Sequence, residues 1–220
     1  MFTGIIEGLG TITGTRPSGQ GIRLAVEADF LLDGTKIGDS IAVNGACLTA
    51  VTISGRRFAA DVSQETVEKT TFGKARIGER VNLERALMLS DRIDGHLVSG
   101  HVDATGVIAR KEAAGTATLV TVEVPAEVAR YIIKKGSVAV DGISLTVNTC
   151  DTRSFAVSII PHTGGMTTIG FKGVGATVNI EADMIGKYVE RFIRPDKTIE
   201  KESGGSSLDM AFLARSGFLK

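Results

Sequence analysis

Tryptophan is absent from this chain of 220 residues, and cysteine (2), histidine (3), tyrosine (2) and proline (4) are scarce. Two cysteines leave no room for a disulfide framework, so a reduced, intracellular protein is expected. An excess of charge is also missing: 25 Lys+Arg balance 25 Asp+Glu. That argues against nucleic acid as the main partner, because phosphate binding needs a net or clustered basic surface. No stretch approaches the ~18 consecutive apolar residues of a membrane span. The opening MFTGIIEGLG has neither a basic n-region nor an apolar h-region. No membrane association and a cytoplasmic location are therefore expected. The common catalytic signatures are missing too. There is no GxxxxGK[ST] loop, no GxSxG elbow, and no glycine fingerprint between a strand and a helix. His96 and His101 are spaced for neither a helix face nor a zinc finger, so no metal site is expected.

What the chain has is glycine and an internal repeat. Glycine makes up 27 of 220 residues, well above the roughly 7% of average usage. The segment IAVNGACLTAVT at 41–52 returns as VAVDGISLTVNT at 138–149, identical at 6 of 12 positions. TTFGKARIGERVNLE at 70–84 returns as TTIGFKGVGATVNIE at 167–181, identical at 7 of 15. GRRFAADVSQET and the opening MFTGIIEGLGTI have weaker counterparts, TRSFAVSIIPHT and LVSGHVDATGVI, in the same order. Two copies at a period near 97 are a duplication, and too few for a solenoid or propeller. The division reads 1–96, 97–186, and a tail at 187–220.

Each copy reads mainly as strand. IRLAVEA, CLTAVTIS, RFAADVS and RVNLERA alternate and are β-branched, as are ATLVTVEV, SLTVNTC, FAVSII and TVNIEAD. Gly-polar pairs punctuate them as hairpin turns. About six short strands per copy predict an all-β chain of two small closed barrels. Short helices are predicted at QETVEK and at PAEVARYIIKK, with Pro125 in the first turn. In the tail, Met184, Ile185, Tyr188, Val189, Phe192 and Ile193 form one helical stripe. That helix either packs on its own chain or forms an interface. A second short helix is predicted at SSLDMAFLARSGF.

The repeated N/D-G-x-C/S-L-T segment is the main chemical candidate. Asn44-Gly45 and Asp141-Gly142 read as turns opening strands. Cys47 and Thr49, and likewise Ser144 and Thr146, then share a strand face. Such a polar pair beside a barrel mouth suits hydrogen bonding to a ligand; a plain polar strand face is the alternative.

Taken together, MFTGIIE, NGACLT, SGHVD, DGISLTV, IPHT and VNIEADMIGKYVERF resemble the riboflavin synthases of the lumazine-binding repeat type. The resemblance runs from Met1 to about Phe192. It implies two tandem six-stranded Greek-key barrels plus a C-terminal helix, a homotrimer assembled through that helix, and an active site between neighbouring subunits. It implies transfer of a four-carbon unit between two molecules of 6,7-dimethyl-8-ribityllumazine, giving riboflavin and 5-amino-6-ribitylaminouracil, with no cofactor. Lumazine synthase is a further candidate partner. A non-catalytic lumazine- or flavin-binding protein of the same fold is the alternative function.

Carried over, the first barrel's ligand contacts are expected at Gly4, Ile5 and Ile6, at Cys47, Leu48 and Thr49, and along Asp61, Val62, Ser63, Gln64, Glu65 and Thr66. The second barrel's are expected at Gly100, His101 and Val102, at Lys135, at Ser144, Leu145 and Thr146, and along Ile160, Pro161, His162, Thr163, Gly164 and Gly165. Cys47 and Ser144 are the adduct or proton-transfer candidates. His101 and Asp183 are acid–base or orienting groups, Thr146 and Ser40 support them, and Phe2 packs near the pteridine. Against these roles, His101 suits a hydrogen bond at the domain joint, Asp183 a helix cap, and Cys47 plain burial. Ala46 stands where some relatives carry a second cysteine, which speaks against a two-thiol mechanism.

Overall fold

The computed structural model describes residues 1–193. Alternating burial sets the strands. The first copy forms β1 (Gly8–Ser18), β2 (Gly21–Ala28), β3 (Ser40–Val43), β4 (Ala46–Ser54), β5 (Arg57–Val62) and β6 (Arg80–Arg85). The second forms β7 (Ala104–Ala114), β8 (Ala117–Glu123), β9 (Ser137–Val140), β10 (Ile143–Cys150), β11 (Ser154–Ile159) and β12 (Thr177–Ala182). Four helices accompany them among the described residues: α1 (Gln64–Lys69), α2 (Ala126–Ala129), α3 (Pro161–Met166) and α4 (Met184–Ile193). Residues 1–184 form one unit, and the rest of α4 belongs to another. No helix among the described residues is long and apolar enough to cross a membrane.

Each copy closes into an antiparallel barrel. The first runs β1-β2-β5-β4-β3-β6 and closes β6 onto β1; the second repeats that order as β7-β8-β11-β10-β9-β12. The match extends to irregularities. Register shifts at Ile12/Gly14 and Ala50/Thr52 recur at Ile108/Arg110 and Val147/Thr149. Bulges bend strands, which lets six of them close tightly. Two-residue turns join β3 to β4 and β9 to β10. Asn44-Gly45 and Asp141-Gly142 all have positive φ, as a type I′ hairpin requires.

Inward residues fill both barrels at equivalent positions. Ile12, Leu24, Val26, Val43, Phe58, Val81 and Leu83 line the first. Ile108, Val120, Val122, Val140, Phe155, Val178 and Ile180 line the second. Truncating one such side chain, as in Leu24→Ala, costs about 2–5 kcal/mol.

The barrels meet through buried polar groups. Asn82 Nδ2 donates to the Asp141 carbonyl at 2.9 Å, and Asn179 Nδ2 to the Asn44 carbonyl at 2.8 Å. The turn glycines touch back to back: a Cβ on Gly45 would lie 2.6 Å from the Gly142 nitrogen. One difference breaks the symmetry. Asn44 Oδ1 accepts from the Asn82 amide at 2.8 Å, whereas the buried Asp141 carboxylate also binds Lys172 Nζ at 2.6 Å. Burial pushes the Asp141 carboxyl up, and Lys172 opposes that shift.

Helices α1 and α4 lie where the sequence predicts them. The PAEVARYIIKK helix is cut to α2, because Ile132 turns into the core and Lys135 takes a left-handed φ of 65° before β9. The helix predicted at SSLDMAFLARSGF lies outside the described residues.

Candidate active site

Period-2 geometry along β4 and β10 separates the N/D-G-x-C/S-L-T residues. Leu48 and Leu145 enter the cores, while Cys47 and Ser144 face out, half-buried, and Thr49 and Thr146 are exposed. The side chains of Leu48, Leu145 and Val62 are buried.

Each outward strand face is met by a segment of the other repeat. The Cys47 amide donates to the Gly100 carbonyl at 2.9 Å, and the Ser144 amide donates to the Gly4 carbonyl at 2.8 Å. Glycine is needed at both crossings. With φ near +80°, a Cβ on Gly100 would sit 2.5 Å from Cys47 Cβ, and one on Gly4 would sit 2.6 Å from Ser144 Cβ. Val102 packs on the first core and Ile6 on the second. The sequence reading grouped Gly4–Ile6 with Cys47 and Gly100–Val102 with Ser144. The structure exchanges these segments, because the chain ahead of each barrel's first strand reaches across the joint.

The exchange builds a cavity of about 320 Å³ in which Cys47, Glu65 and Thr66 of the first copy face Gly100, His101 and Val102 of the second. Its size falls in the range of small-molecule sites. Lys69 and Thr70, which the sequence reading did not select, also line it. Ser63 caps α1 by accepting from the Thr66 amide at 3.2 Å, which fixes Glu65 and Thr66 at the rim. Gln64 instead bonds Glu68. The second copy repeats the frame. Thr167 Oγ1 donates to the Thr163 carbonyl at 2.6 Å, as Thr70 Oγ1 does to Thr66, and Pro161 starts α3. His162 stands at the position of Glu65, and Met166 at that of Lys69.

Beside Ser144 lies a residue that sequence spacing missed. His96 Nδ1 is 2.7 Å from Ser144 Oγ, and His96 is only 9% exposed. Burial lowers its pKa, opposed by the charge of Asp183. The imidazole is therefore mainly neutral at pH 7, and in the tautomer protonated on Nε2 it can take a proton from the hydroxyl. The only hint in the sequence was His96's place at the boundary between the two copies, since its partner lies 48 positions away. Phe2 is fully buried against Ala42, Ala139 and Val98, with Cys47 at the edge, and its backbone pairs with Val98.

Other candidates lie apart from the Cys47 cavity. Ser40 lines a different cavity of about 540 Å³ with Glu7 and Arg85. Asp61 is held by Arg23 at 2.6 Å, which lowers its pKa. Ile5, Lys135, Ile160, Pro161, His162 and Gly165 are exposed, and Gly164 is half-buried.

A duplicated barrel with matching crossings, and a ligand-sized cavity at the Cys47 crossing, narrows the comparison to proteins built the same way. The family model described as "Lumazine binding domain" matches residues 3–86 and 99–183. The chain belongs to the lumazine-binding domain family. Among lumazine-binding relatives, it is 44% identical to riboflavin synthase of Actinobacillus pleuropneumoniae, over 99% of this chain and 100% of that one. It is 46% identical to riboflavin synthase of Mycobacterium tuberculosis, over 88% of this chain and 98% of that one. In fold it is similar to LumP, solved in complex with riboflavin (TM-score 0.75, 23% identity, 83% of this chain and 99% of that one).

Proposed function

We propose that this chain is a riboflavin synthase, an enzyme that converts two molecules of 6,7-dimethyl-8-ribityllumazine into riboflavin and 5-amino-6-ribitylaminouracil. The observation that carries the reading is the full-length likeness to riboflavin synthases, joined to a duplicated site. Two identical substrates call for two similar pockets, and the two barrels repeat one frame strand by strand. A four-carbon unit moves from one lumazine to the other, so atoms and electrons balance between them.

The 7-methyl group of the lumazine is acidic because its carbanion is delocalised into the electron-poor ring, and C7 is open to addition. Ser144 with neutral His96 supplies a hydroxyl and a base held 2.7 Å apart. Cys47 at the first cavity is the second candidate for addition or proton transfer, and His101 lies at its rim. Carbonyl and amide groups of the crossing segments bind the pteridine edge, and the helix-rim hydroxyls Thr66 and Thr163 serve the ribityl chain. Holding two rings in reacting geometry is worth up to about 7–11 kcal/mol.

The proposed assembly is a cytoplasmic homotrimer in which α4 joins subunits and the active site lies between neighbours. The apolar stripe of α4, from Ile185 to Ile193, supports this: none of its side chains is buried. Residues 1–96 and 97–186 are the proposed lumazine-binding domains, and 187–220 the assembly segment. The test is incubation of the purified protein with 6,7-dimethyl-8-ribityllumazine alone. Riboflavin formation is expected; tight binding without turnover would turn the reading to a ligand carrier.

A further inference from the structure

Two buried glutamates occupy equivalent places in the barrels, and neither belongs to the reacting groups above. Glu84 on β6 and Glu181 on β12 are each 5% exposed. Glu84 accepts from the Thr3 amide (2.6 Å), Thr3 Oγ1 (2.7 Å) and the Gly4 amide (3.0 Å). Glu181 accepts from the Ser99 amide (2.7 Å), Ser99 Oγ (2.7 Å) and the Gly100 amide (3.0 Å). The hydroxyls pass the constraint on: the Ile5 amide donates to Thr3 Oγ1, and the His101 amide to Ser99 Oγ, both at 3.2 Å. Each carboxylate thus orders three consecutive residues of the segment that crosses to the opposite barrel.

We infer that Glu181 and Glu84 are positioning residues that act crosswise: Glu181, a second-barrel residue, sets the geometry of the Cys47 pocket, and Glu84, a first-barrel residue, sets that of the crossing at Ser144. The segment 99–102 has no strand partner of its own at this point. Its carbonyl meets the Cys47 amide, and its next two residues line the cavity. Three bonds to one charged acceptor fix where that wall stands, and charge-assisted bonds of this kind are stronger than neutral ones. Burial costs a carboxylate its hydration, and the clustered N–H and O–H donors offset that cost. A glutamine keeps the size but replaces one accepting oxygen with a donor, which opposes the main-chain amide it meets. The wall then relaxes although the barrel that carries the residue remains closed by its own strands.

The inference rests on the riboflavin synthase reading, and Cys47 provides a pocket-specific probe. The thiol is alkylated with N-ethylmaleimide in increasing 6,7-dimethyl-8-ribityllumazine, and modification of the Cys47 peptide is followed by mass spectrometry, with Cys150 as internal reference. Glu181→Gln is expected to raise the half-protecting lumazine concentration about tenfold, the scale of one charge-assisted bond. Glu84→Gln is expected to leave it within about twofold, although turnover falls in both variants. Ser99→Ala keeps the two main-chain bonds to Glu181 and loses the hydroxyl's bond to Glu181 and its link to the His101 amide; it is expected to shift protection in the same direction by a smaller factor, and it serves if Glu181→Gln folds poorly. In Glu84→Gln the imidazole NMR signals of His96 are expected to move, and in Glu181→Gln to stay. Equal shifts in Cys47 protection for the two glutamine variants, a shift in Glu84→Gln alone, or no shift in Glu181→Gln and Ser99→Ala would overturn the crosswise assignment. A wild-type protein whose Cys47 no lumazine concentration protects would overturn the reading of the site, and this inference with it.

Discussion

Replacing Phe2 by alanine tests the joint that carries the Cys47 cavity and the Ser144 crossing. The ring is 0% exposed and packs against Ala42, Ala139 and Val98. Its amide donates to the Val98 carbonyl at 2.8 Å and its carbonyl accepts from the Val98 amide at 3.0 Å. Small neighbours cannot swing in to fill the gap, so the loss belongs at the full Phe→Ala scale of about 3–5 kcal/mol. That is a large part of the 5–15 kcal/mol that usually separates folded from unfolded chains. The fold is expected to survive at 25 °C with a lower urea midpoint. Activity is expected to fall further than stability, because Phe2 lies two residues ahead of Gly4, whose carbonyl meets Ser144. A displacement near 1 Å at reacting groups costs about a hundredfold in rate. Urea unfolding followed by fluorescence gives the first quantity, and riboflavin formation by folded protein gives the second. Phe2→Leu, which retains most of the volume, should recover most of both. A Phe2→Ala protein that loses under about 1 kcal/mol, or that keeps wild-type turnover, would refute the reasoning.

Further outcomes concern the site and α4. His96→Gln retains a hydrogen-bonding group beside Ser144 but no base, so kcat should fall by at least about a hundredfold with KM little changed; kcat within threefold of wild type would remove His96 from the mechanism. The wild-type rate should fall as pH drops through the lowered His96 pKa, below the ordinary value of 6.5, and that limb should vanish in His96→Gln. Stability follows the same sign: the unfolded chain takes up the proton first as pH falls below about 6.5, so urea midpoints should decline with acidity more steeply in wild type than in His96→Gln. Cys47→Ala should lower turnover more than stability, because the thiol is half-buried at a cavity wall; an unchanged rate would confine it to packing. Removing the residues after Asp183 should yield monomers without turnover, and a truncated protein that sediments as a trimer would show that α4 does not join subunits.

Features carried by local pattern were legible in the sequence. The duplication, the hairpin glycines, the longer strands, α1 and α4 follow from repeats, period-2 alternation and helical spacing. Strands β3 and β9 were harder to delimit, since four residues before a turn give alternation too little length. The outward, half-buried strand positions of Cys47 and Ser144 were legible because both follow a recognisable turn. What tertiary structure alone decides was not legible. The exchange of Gly4–Ile6 and Gly100–Val102 depends on contacts across the joint, and resemblance to a family names the residues without saying which barrel they serve. His96 meets Ser144 48 positions away, and Glu181 meets Ser99 82 away. Neither pair leaves a periodic trace.

The most direct measurement of the central claim is product stoichiometry. Purified protein is mixed with 6,7-dimethyl-8-ribityllumazine and nothing else, and substrate and both products are separated by chromatography over time. Two lumazines should be consumed for each riboflavin and each 5-amino-6-ribitylaminouracil formed. Lumazine that binds and is recovered unchanged would contradict it.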